Sequence, residues 1–546
     1  MPDVLTKEQR SFNMSMIKSE NTDPEVKFHN LLHSEGIGGF QMHPRRIVGK
    51  PDFYFPKHKI AIFIDGCFWH GCKDCFKIPA TNKNFWDKKI KNNIKRDKKV
   101  NKILKAMGIT TIRIKEHELG KNLREVPGKM KSTLAQIKQP NVLDLFAGAG
   151  GFSEGFIAAG CNVVAHIEMD EDACNTIRTR IIYHNLRKRG KLSEYEKYLF
   201  GDLEREKLIQ KYNLQDDLDS VIHAKIDHNN YSDLIAKVKK KLNGECLDII
   251  IGGPPCQAYS HIGRSSDRKH MMRDERKYLY KYYIEFLKAF TPKIFIFENV
   301  PGLLSAGKGF YLKKMRQLMK EAEYTTAYKI LNAADFGVPQ KRRRIIIIGW
   351  NKSSKMKCFP EFKKIKRDYK VIDFLKDLPK INSNGGTKNK KYIAKNDLLL
   401  NLGVINPKVR ILTDHVSRPQ NKLDLNIYKI AVKNKNKGRN IKYNELPSRL
   451  RIHKNQTDFL DRFKVVDGRS LSAQTIIAHI AKDGHYYIHP DIKQNRSLTV
   501  REVARLQTFP DDFKFEGSRT SQFRQIGNAV PPMLSKIIAD ELIRNL

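Results

Sequence analysis

The sequence predicts two α/β units in tandem, and three observations carry that prediction. Apolar, β-branched runs recur at 142–153, 162–169, 247–257, 293–300 and 340–350, and each stops or starts at a glycine, a proline or a charged side chain. Runs of this kind read as buried strands feeding turns. Ahead of them, residues 1–125 hold a separate block with strand patterns at 49–55 and 59–65 and cysteines at 67, 72 and 75. Between the two blocks lies EVPGKMKSTLAQIKQP (125–140), which has the composition of a linker.

In the amino-terminal block, GKPDFYF (49–55) puts Asp52 at a strand start, and KIAIFIDGCFWHGC (59–72) continues as a strand ending in Asp65. Two adjacent strands with carboxylates at one end can bind Mg²⁺, a hard cation that prefers oxygen ligands and keeps several waters. Such an ion activates water and steadies the departing oxygen of a phosphodiester. Cys67, Cys72 and Cys75 have zinc-like spacing but are one ligand short, and His117, after the strand pattern TTIRIK (110–115), is a candidate fourth. From 81 to 100 there are eight Lys or Arg against Asp87 and Asp97, which suits a helix laid along phosphates.

In the second block, VLDLFAGAGGFS (142–153) is a strand running into a glycine-rich turn and a helix start, where backbone can approach a ligand closely. The strand NVVAHIEM (162–169) presents Glu168 where such folds bind ribose hydroxyls. The next acidic strand end is either Asp202, in FGDL, or Asp227, in SVIHAKID, and the second is the better strand. That choice makes 178–222 an insertion. LDIIIGGPPCQ (247–257) ends a buried strand in a rigid turn that presents Cys256, KIFIFENV (293–300) ends in Glu298, and QKRRRIIIIGW (340–350) places Arg342 and Arg344 on one face. A thiol, a carboxyl and a guanidinium at strand ends are parts for nucleophilic attack on a polar ring. The Lys- and Asn-rich stretches 382–391 and 433–440 read as mobile basic loops. RSLTVREVA (496–504), ARLQTFP (504–510) and QIGNAVPPM (525–533) close the chain.

In this order the segments from about 140 to 546 resemble the cytosine DNA methyltransferases that modify ring carbon 5. The resemblance implies a Rossmann-like core (140–350 and 496–546) with an inserted target-recognition domain at 351–495, and duplex DNA as substrate. It implies that S-adenosylmethionine lies over the turn containing Phe146, Gly148, Gly150 and Gly151, with Glu168 on the ribose, Asp227 on the adenine, Pro254 nearby and Asn528 closing the pocket. The target base must leave the duplex to reach Cys256. There the thiolate would add to ring carbon 6, Glu298 would hydrogen-bond to or protonate ring nitrogen 3, Arg344 would hold the carbonyl oxygen, and Arg342 would support the loop.

Residues 1–125, through NMSMIKSENTDPE (13–25), GKPDF, DGCFWHGC and IPATNKNFW (78–86), resemble the very short patch repair endonucleases, which nick DNA beside thymine:guanine mismatches. The resemblance implies a restriction-endonuclease-like mixed α/β domain with a structural zinc. It implies roles for Asp52 as metal carboxylate, His70 as general base or acid, Glu25 and Asp97 as supports, and Met14, Phe68 and Trp69 as wedges into the base stack. Asp65 departs from the pattern, standing where a second catalytic histidine is usual, and Cys72 and His117 exchange the usual His and Cys. Two rival readings of this block stay open: cleavage of unmethylated paired DNA, or a zinc-bearing DNA clamp without catalysis.

Lys plus Arg number 102 against 59 Asp plus Glu, a formal charge of +43 that points to a polyanion. No apolar run is long enough to span a bilayer and the amino terminus is polar, so the chain is expected in the cytoplasm, with its eight cysteines outside disulfides and one copy acting on DNA.

Overall fold

A computed structural model describes residues 20–34, 37, 40–56, 58–72, 74–78, 83–119, 139–255, 278–393, 395–453, 455 and 457–546. Met14 and Cys256 lie outside the described residues. Backbone contacts divide the chain into two compact units, one of 1–139 with Ala158–Cys161, the other of Pro140–Ile157 and Asn162–Leu546.

In the first unit a helix, Asp23–Ser34, precedes β1 (Gln41–Met42), β2 (Phe53–Phe55) and β3 (Ile60–Asp65), and a long helix, Lys83–Ala106, leads to β4 (Thr110–Lys115). The sheet order is β1-β2-β3-β4, antiparallel except for the parallel pair β3 and β4. A parallel pair needs a crossover, and the long helix supplies it. Phe28, Leu32, Phe53, Phe55, Ile62 and Ile114 form the core. The crossover helix buries only Ile90 and Leu104, so its Lys and Arg side chains sit on a largely solvated cylinder.

The second unit is built on seven strands: β5 (Asn141–Leu145), β6 (Asn162–Glu168), β7 (Val221–His223), β8 (Ile249–Gly252), β9 (Ile294–Asn299), β10 (Thr325–Asn332) and β11 (Arg343–Trp350). Their order is β10-β11-β9-β8-β5-β6-β7. The five strands from β9 to β7 run parallel, while β11 lies antiparallel to both β9 and β10. Chain order reverses between β5 and β8, and ligands of open α/β sheets bind in the crevice at the carboxyl ends of such a pair. Those ends are the glycine turn 146–151 and the proline turn 253–255.

Three expectations from sequence are corrected. Residues 382–391 are not a loop throughout: β12 (Gly386–Lys391) pairs with β13 (Ile411–Val416). The strand forms because β13 is buried at five of its six positions and offers a fixed ladder, which outweighs the poor strand propensity of Lys and Asn. Likewise 433–436 continue the helix Lys422–Asn436, which buries Ile427, Tyr428, Ala431 and Val432 along one face. The insertion after β6 is shorter than 178–222, because Glu171–Lys188 is one continuous helix with Asp170 as its N-cap. The added part is three short helices, Leu192–Phe200, Arg205–Tyr212 and Gln215–Leu218. They pack Tyr195, Leu199, Leu208 and Leu214 into a small core of their own that also takes Ile411 of β13.

Buried residues of 351–495 fall into more than one cluster. Val371, Phe374, Leu399, Val466 and Ile476 share a core with Val503, Phe509, Phe523 and Ile526, whereas Tyr428, Val432, Tyr443, Leu450 and Phe463 form a separate one.

Arg342, Arg496, Arg501 and Arg505 are among the largest fully buried side chains, which is tolerable only because each is paired or hydrogen-bonded. Arg496 makes two contacts of 2.7 Å with Glu502, and Arg505 reaches Asp511 at 2.6 Å and Asp377 at 2.9 Å. Burial pushes Glu502 upward, but Arg496 overrides it and holds the carboxyl below its usual range. His166 and His489 are pushed down to about 4 by burial. The unfolded chain binds protons at these histidines near pH 6.5, while the native state resists them until about 4. Stability conferred by the neutral imidazoles is therefore present above pH 6.5 and lost as pH falls from there to about 4, by up to about 3 kcal/mol for each histidine. Asp144, raised to about 8 by burial, pulls the other way and stabilises the fold as pH falls toward 6.5, and Glu168 and Asp414, also raised by burial, act in the same sense; below pH 6.5 they are opposed by His166 and His489 together with His184 and His415, all lowered by burial. Below pH 6.5 the melting temperature of this unit should drop toward pH 5 in a calorimetric series, and a flat or rising profile over that interval would contradict the assignment.

Candidate active sites

In the second unit, the glycine turn leaves β5 through Phe146 at φ 57°, Gly148 at φ 55° and Gly150 at φ 76°. Left-handed backbone at alternate positions turns amide groups toward one side, a geometry that cradles anionic or polar ligand groups. Glu168 ties the end of β6 to this turn, since its Oε2 accepts from the Gly148 amide at 2.7 Å and its Oε1 from the Met169 and Asp170 amides at 2.8 Å. Burial raises its carboxyl above the ordinary value, although these amides oppose the shift. A Cβ added at Gly148 would face open space. At Gly151 it would meet the Val530 carbonyl oxygen at 2.5 Å and Phe509 at 2.9 Å, so only glycine lets the segment after Asn528 lie against this helix start. Asn528 ends the helix Arg519–Asn528 and is exposed.

Glu298, near the end of β9, is buried, and the Arg344 Nε lies 2.9 Å from its Oε1. A Cβ at Gly253 would come within 2.8 Å of the Glu298 Oε2, so the glycine allows the Pro254–Pro255 turn to pass over that carboxyl. Asn299 clamps the same turn by donating from Nδ2 to the Pro254 carbonyl at 3.2 Å. The turn 253–255 is thus held over the Glu298 carboxyl. Arg342 points elsewhere: its guanidinium donates to the carbonyls of Ile476 at 2.8 Å, Gly527 at 3.1 Å and Asn528 at 3.3 Å. Asp227 lies four residues beyond β7 and accepts from the Asn229 amide at 3.0 Å. Asp202 follows a helix, not a strand, and is exposed. Asp144 and Asn299 were not singled out from sequence; each is an ordinary polar residue in a strand pattern until its burial is known.

The amino-terminal unit carries three clusters at one end of its sheet. Cys67, Cys72 and Cys75 place their Sγ atoms 3.2, 3.6 and 3.2 Å from the His117 Nδ1. Three sulfurs and one imidazole nitrogen within 4.8 Å of one another match the donor set that structural zinc sites use. The parallel pairing of β3 and β4 brings the segments together, because the cysteine loop and His117 both follow the carboxyl ends of these neighbours.

The two aspartates expected to share Mg²⁺ are divided between the other clusters. Asp52 accepts from the Ile64 amide at 2.6 Å and groups with Glu25 and His43. Burial and the neighbouring Glu25 raise its carboxyl to about 6. Asp65 instead pairs with Arg113 at 2.8 Å and lies 3.5 Å from the His70 Nδ1. His70 is held chiefly by Asp97, at 2.6 Å, and Asp97 also meets Arg113 at 3.1 Å. A guanidinium between Asp65 and Asp97 leaves little need for a cation there. Sequence reasoning missed His43 and Arg113. The β1–β2 register, which pairs Met42 with Phe53, sets His43 across the hairpin from Asp52, and nothing in the linear sequence marks it. Phe68 and Trp69 pack with Phe76 and Trp86 in a half-buried aromatic cluster, and the Lys89 Nζ lies 5.3 Å from the Trp69 ring.

Sheet order and glycine turn define the class of the larger unit: a doubly wound α/β protein with a ligand crevice at the β5–β8 switch point. The family described as C-5 cytosine-specific DNA methylase matches residues 140–205 and 208–544, and the chain belongs to that family, which uses S-adenosylmethionine. Residues 2–77 match the DNA mismatch endonuclease Vsr, so a Vsr domain precedes the methylase. Among curated relatives, the type II methyltransferase M.Bpa9945I of Bacillus paralicheniformis is 39% identical over 439 residues, covering 73% of this chain and 97% of that protein. M1.HphI of Haemophilus parahaemolyticus, also named a type II methyltransferase, is 30% identical, with 74% and 86% covered. A solved structure described as a DNA modification methyltransferase from an E. coli prophage is 26% identical, with a TM-score of 0.50 over 74% of this chain and 98% of that one.

Proposed function

We propose that residues 140–546 act as the modification enzyme of a type II restriction–modification system, methylating carbon 5 of one cytosine within a specific duplex sequence. The observation that carries this reading is the Glu298–Arg344 pair beside the clamped Pro254–Pro255 turn. Cytosine carbon 5 is a weak nucleophile, and addition of the Cys256 thiolate at carbon 6 turns the ring into an enamine. Glu298 supplies a hydrogen bond or proton at ring nitrogen 3 as electrons move onto it, and Arg344 orients that carboxyl and holds the ring carbonyl oxygen. S-adenosylmethionine supplies the methyl group, and the cradle at Gly148, with Phe146, Gly150, Gly151, Glu168, Pro254 and Asn528 around it, fits that molecule. Asp227, in preference to Asp202, faces its adenine. The separate core around Tyr428 and Phe463 belongs to the recognition domain within 351–495. Bisulfite sequencing of DNA from cells expressing the protein tests the reading: a shared motif around protected cytosines is expected, and uniform conversion would sink it.

For the amino-terminal domain we propose metal-dependent nicking at T:G mismatches, the lesion produced when 5-methylcytosine deaminates. Asp52 with Glu25 holds the catalytic cation, for which the sequence points to Mg²⁺, and His70, oriented by Asp97, moves the proton. Zinc at Cys67, Cys72, Cys75 and His117 is structural. Metal analysis should find one zinc per chain, and its removal with a strong chelator should unfold this unit while the methylase retains its melting transition. The protein acts on double-stranded DNA as a monomer in the cytoplasm, and no helix among the described residues is long and apolar enough to cross a membrane.

A further inference from the structure

His43 is an imidazole between a buried carboxylate, Glu25, and a half-buried one, Asp52, and its surroundings are unusual in three independent ways. Its backbone sits at φ 45°, a left-handed conformation that costs a non-glycine residue free energy and that concentrates at functional sites. Its Nε2 is buried without a hydrogen-bond partner, although the Glu25 Oε2 is only 3.2 Å away. Its Nδ1 faces the Asp52 Oδ1 at 3.8 Å, and one ligand atom from each of Glu25, His43 and Asp52 lies within 4.8 Å of the others.

The remaining contacts anchor the two carboxylates from outside the cluster. Glu25 accepts from the Asn21 amide and the Thr22 hydroxyl, both at 2.8 Å, and Asp52 from the Ile64 amide at 2.6 Å. The hairpin is closed by the His43 amide donating to the Asp52 carbonyl at 3.3 Å. Two carboxylates and an imidazole, each held by its own scaffold and none fully satisfied by the others, form a three-donor cup for a divalent cation.

We propose that His43 is a direct ligand in this cup, and that its nitrogen makes the nuclease site take a first-row transition cation, with Mn²⁺ as the representative, in preference to Mg²⁺. Magnesium is a hard ion that favours oxygen donors and sheds water reluctantly, whereas Mn²⁺ accepts carboxylate oxygen and the transition series accepts imidazole nitrogen. The inference deepens the nuclease reading, on which it rests, by changing the chemical class of its cation.

The test uses the zinc-loaded, full-length protein with Mn²⁺ as the probe and binding as the readout. Electron spin-echo spectra of the bound Mn²⁺ should show coupling to an imidazole nitrogen, and His43→Gln should abolish that coupling and weaken Mn²⁺ binding at least roughly tenfold. Mg²⁺ should compete poorly against the wild-type site. His43→Asn, checked for a wild-type melting temperature, repeats the measurement should the glutamine variant misfold. Nitrogen coupling absent from the wild type, or unchanged in both variants, overturns the proposal. Loss of Mn²⁺ binding in Asp52→Asn but not in the His43 variants refutes only the role of His43, whereas unchanged binding in Asp52→Asn refutes the underlying metal site itself.

Discussion

Cys256→Ala should lose methyl transfer by at least roughly a thousandfold, with nicking by the amino-terminal domain unchanged. Among the described residues, Glu298 is engaged by Arg344, and Cys174 is buried beneath Glu168 with its thiol pushed up to about 12, so neither can stand in for the bond to ring carbon 6. The direct measurement uses duplex DNA carrying 5-fluorocytosine, together with the methyl donor. Fluorine at carbon 5 cannot leave as a proton does, so the enzyme remains joined to the ring. A denaturant-stable adduct mapping to the peptide of residues 252–257 is expected from the wild type and none from Cys256→Ala. Methylation that proceeds in the variant would remove the basis of the mechanism.

Asp52→Ala should abolish nicking, again by roughly a thousandfold or more, because phosphodiester hydrolysis without the cation loses both water activation and charge neutralisation. Methylation should be untouched. In metal-free protein the substitution should leave the melting temperature unchanged or raise it, since it removes a half-buried carboxylate lifted to about 6 by desolvation and by the neighbouring Glu25. That pairing of lost activity with retained or greater stability separates a functional residue from a structural one. Assays on T:G mismatched and on perfectly paired, unmethylated duplexes distinguish the proposed repair role from restriction. Cleavage confined to paired DNA would reverse the assignment, and nicking that survives Asp52→Ala would favour the non-catalytic clamp.

Strand cores of the larger unit were legible because four apolar runs fill the parallel strands β5, β6, β8 and β9, where burial between flanking layers demands near-continuous hydrophobicity, and a fifth fills β11, antiparallel beside β9 and buried along most of its length. The zinc-type cluster was legible from spacing, since two of its elements follow adjacent parallel strands and must converge. β12 was not legible. Its Gly-Thr-Lys-Asn-Lys-Lys composition argues for a loop, and only the buried partner β13 makes it a strand. The low-complexity tail of the Lys422–Asn436 helix hid in the same way, because its solvent-facing Lys and Asn carry no periodic signal once the apolar face runs out.

From residue order alone came the tandem arrangement, the glycine turn and the carboxylate, thiol and guanidinium strand ends, because these depend on local chain conformation and on which side chains can do the chemistry. Folding decided what those side chains do to one another. It sent Arg344 to Glu298 but Arg342 to the loop carbonyls, split Asp52 from Asp65, and brought His43 across a hairpin to Glu25. Such pairings are set by sheet register and by the cost of leaving a buried charge alone, and neither is written in the order of residues along the chain.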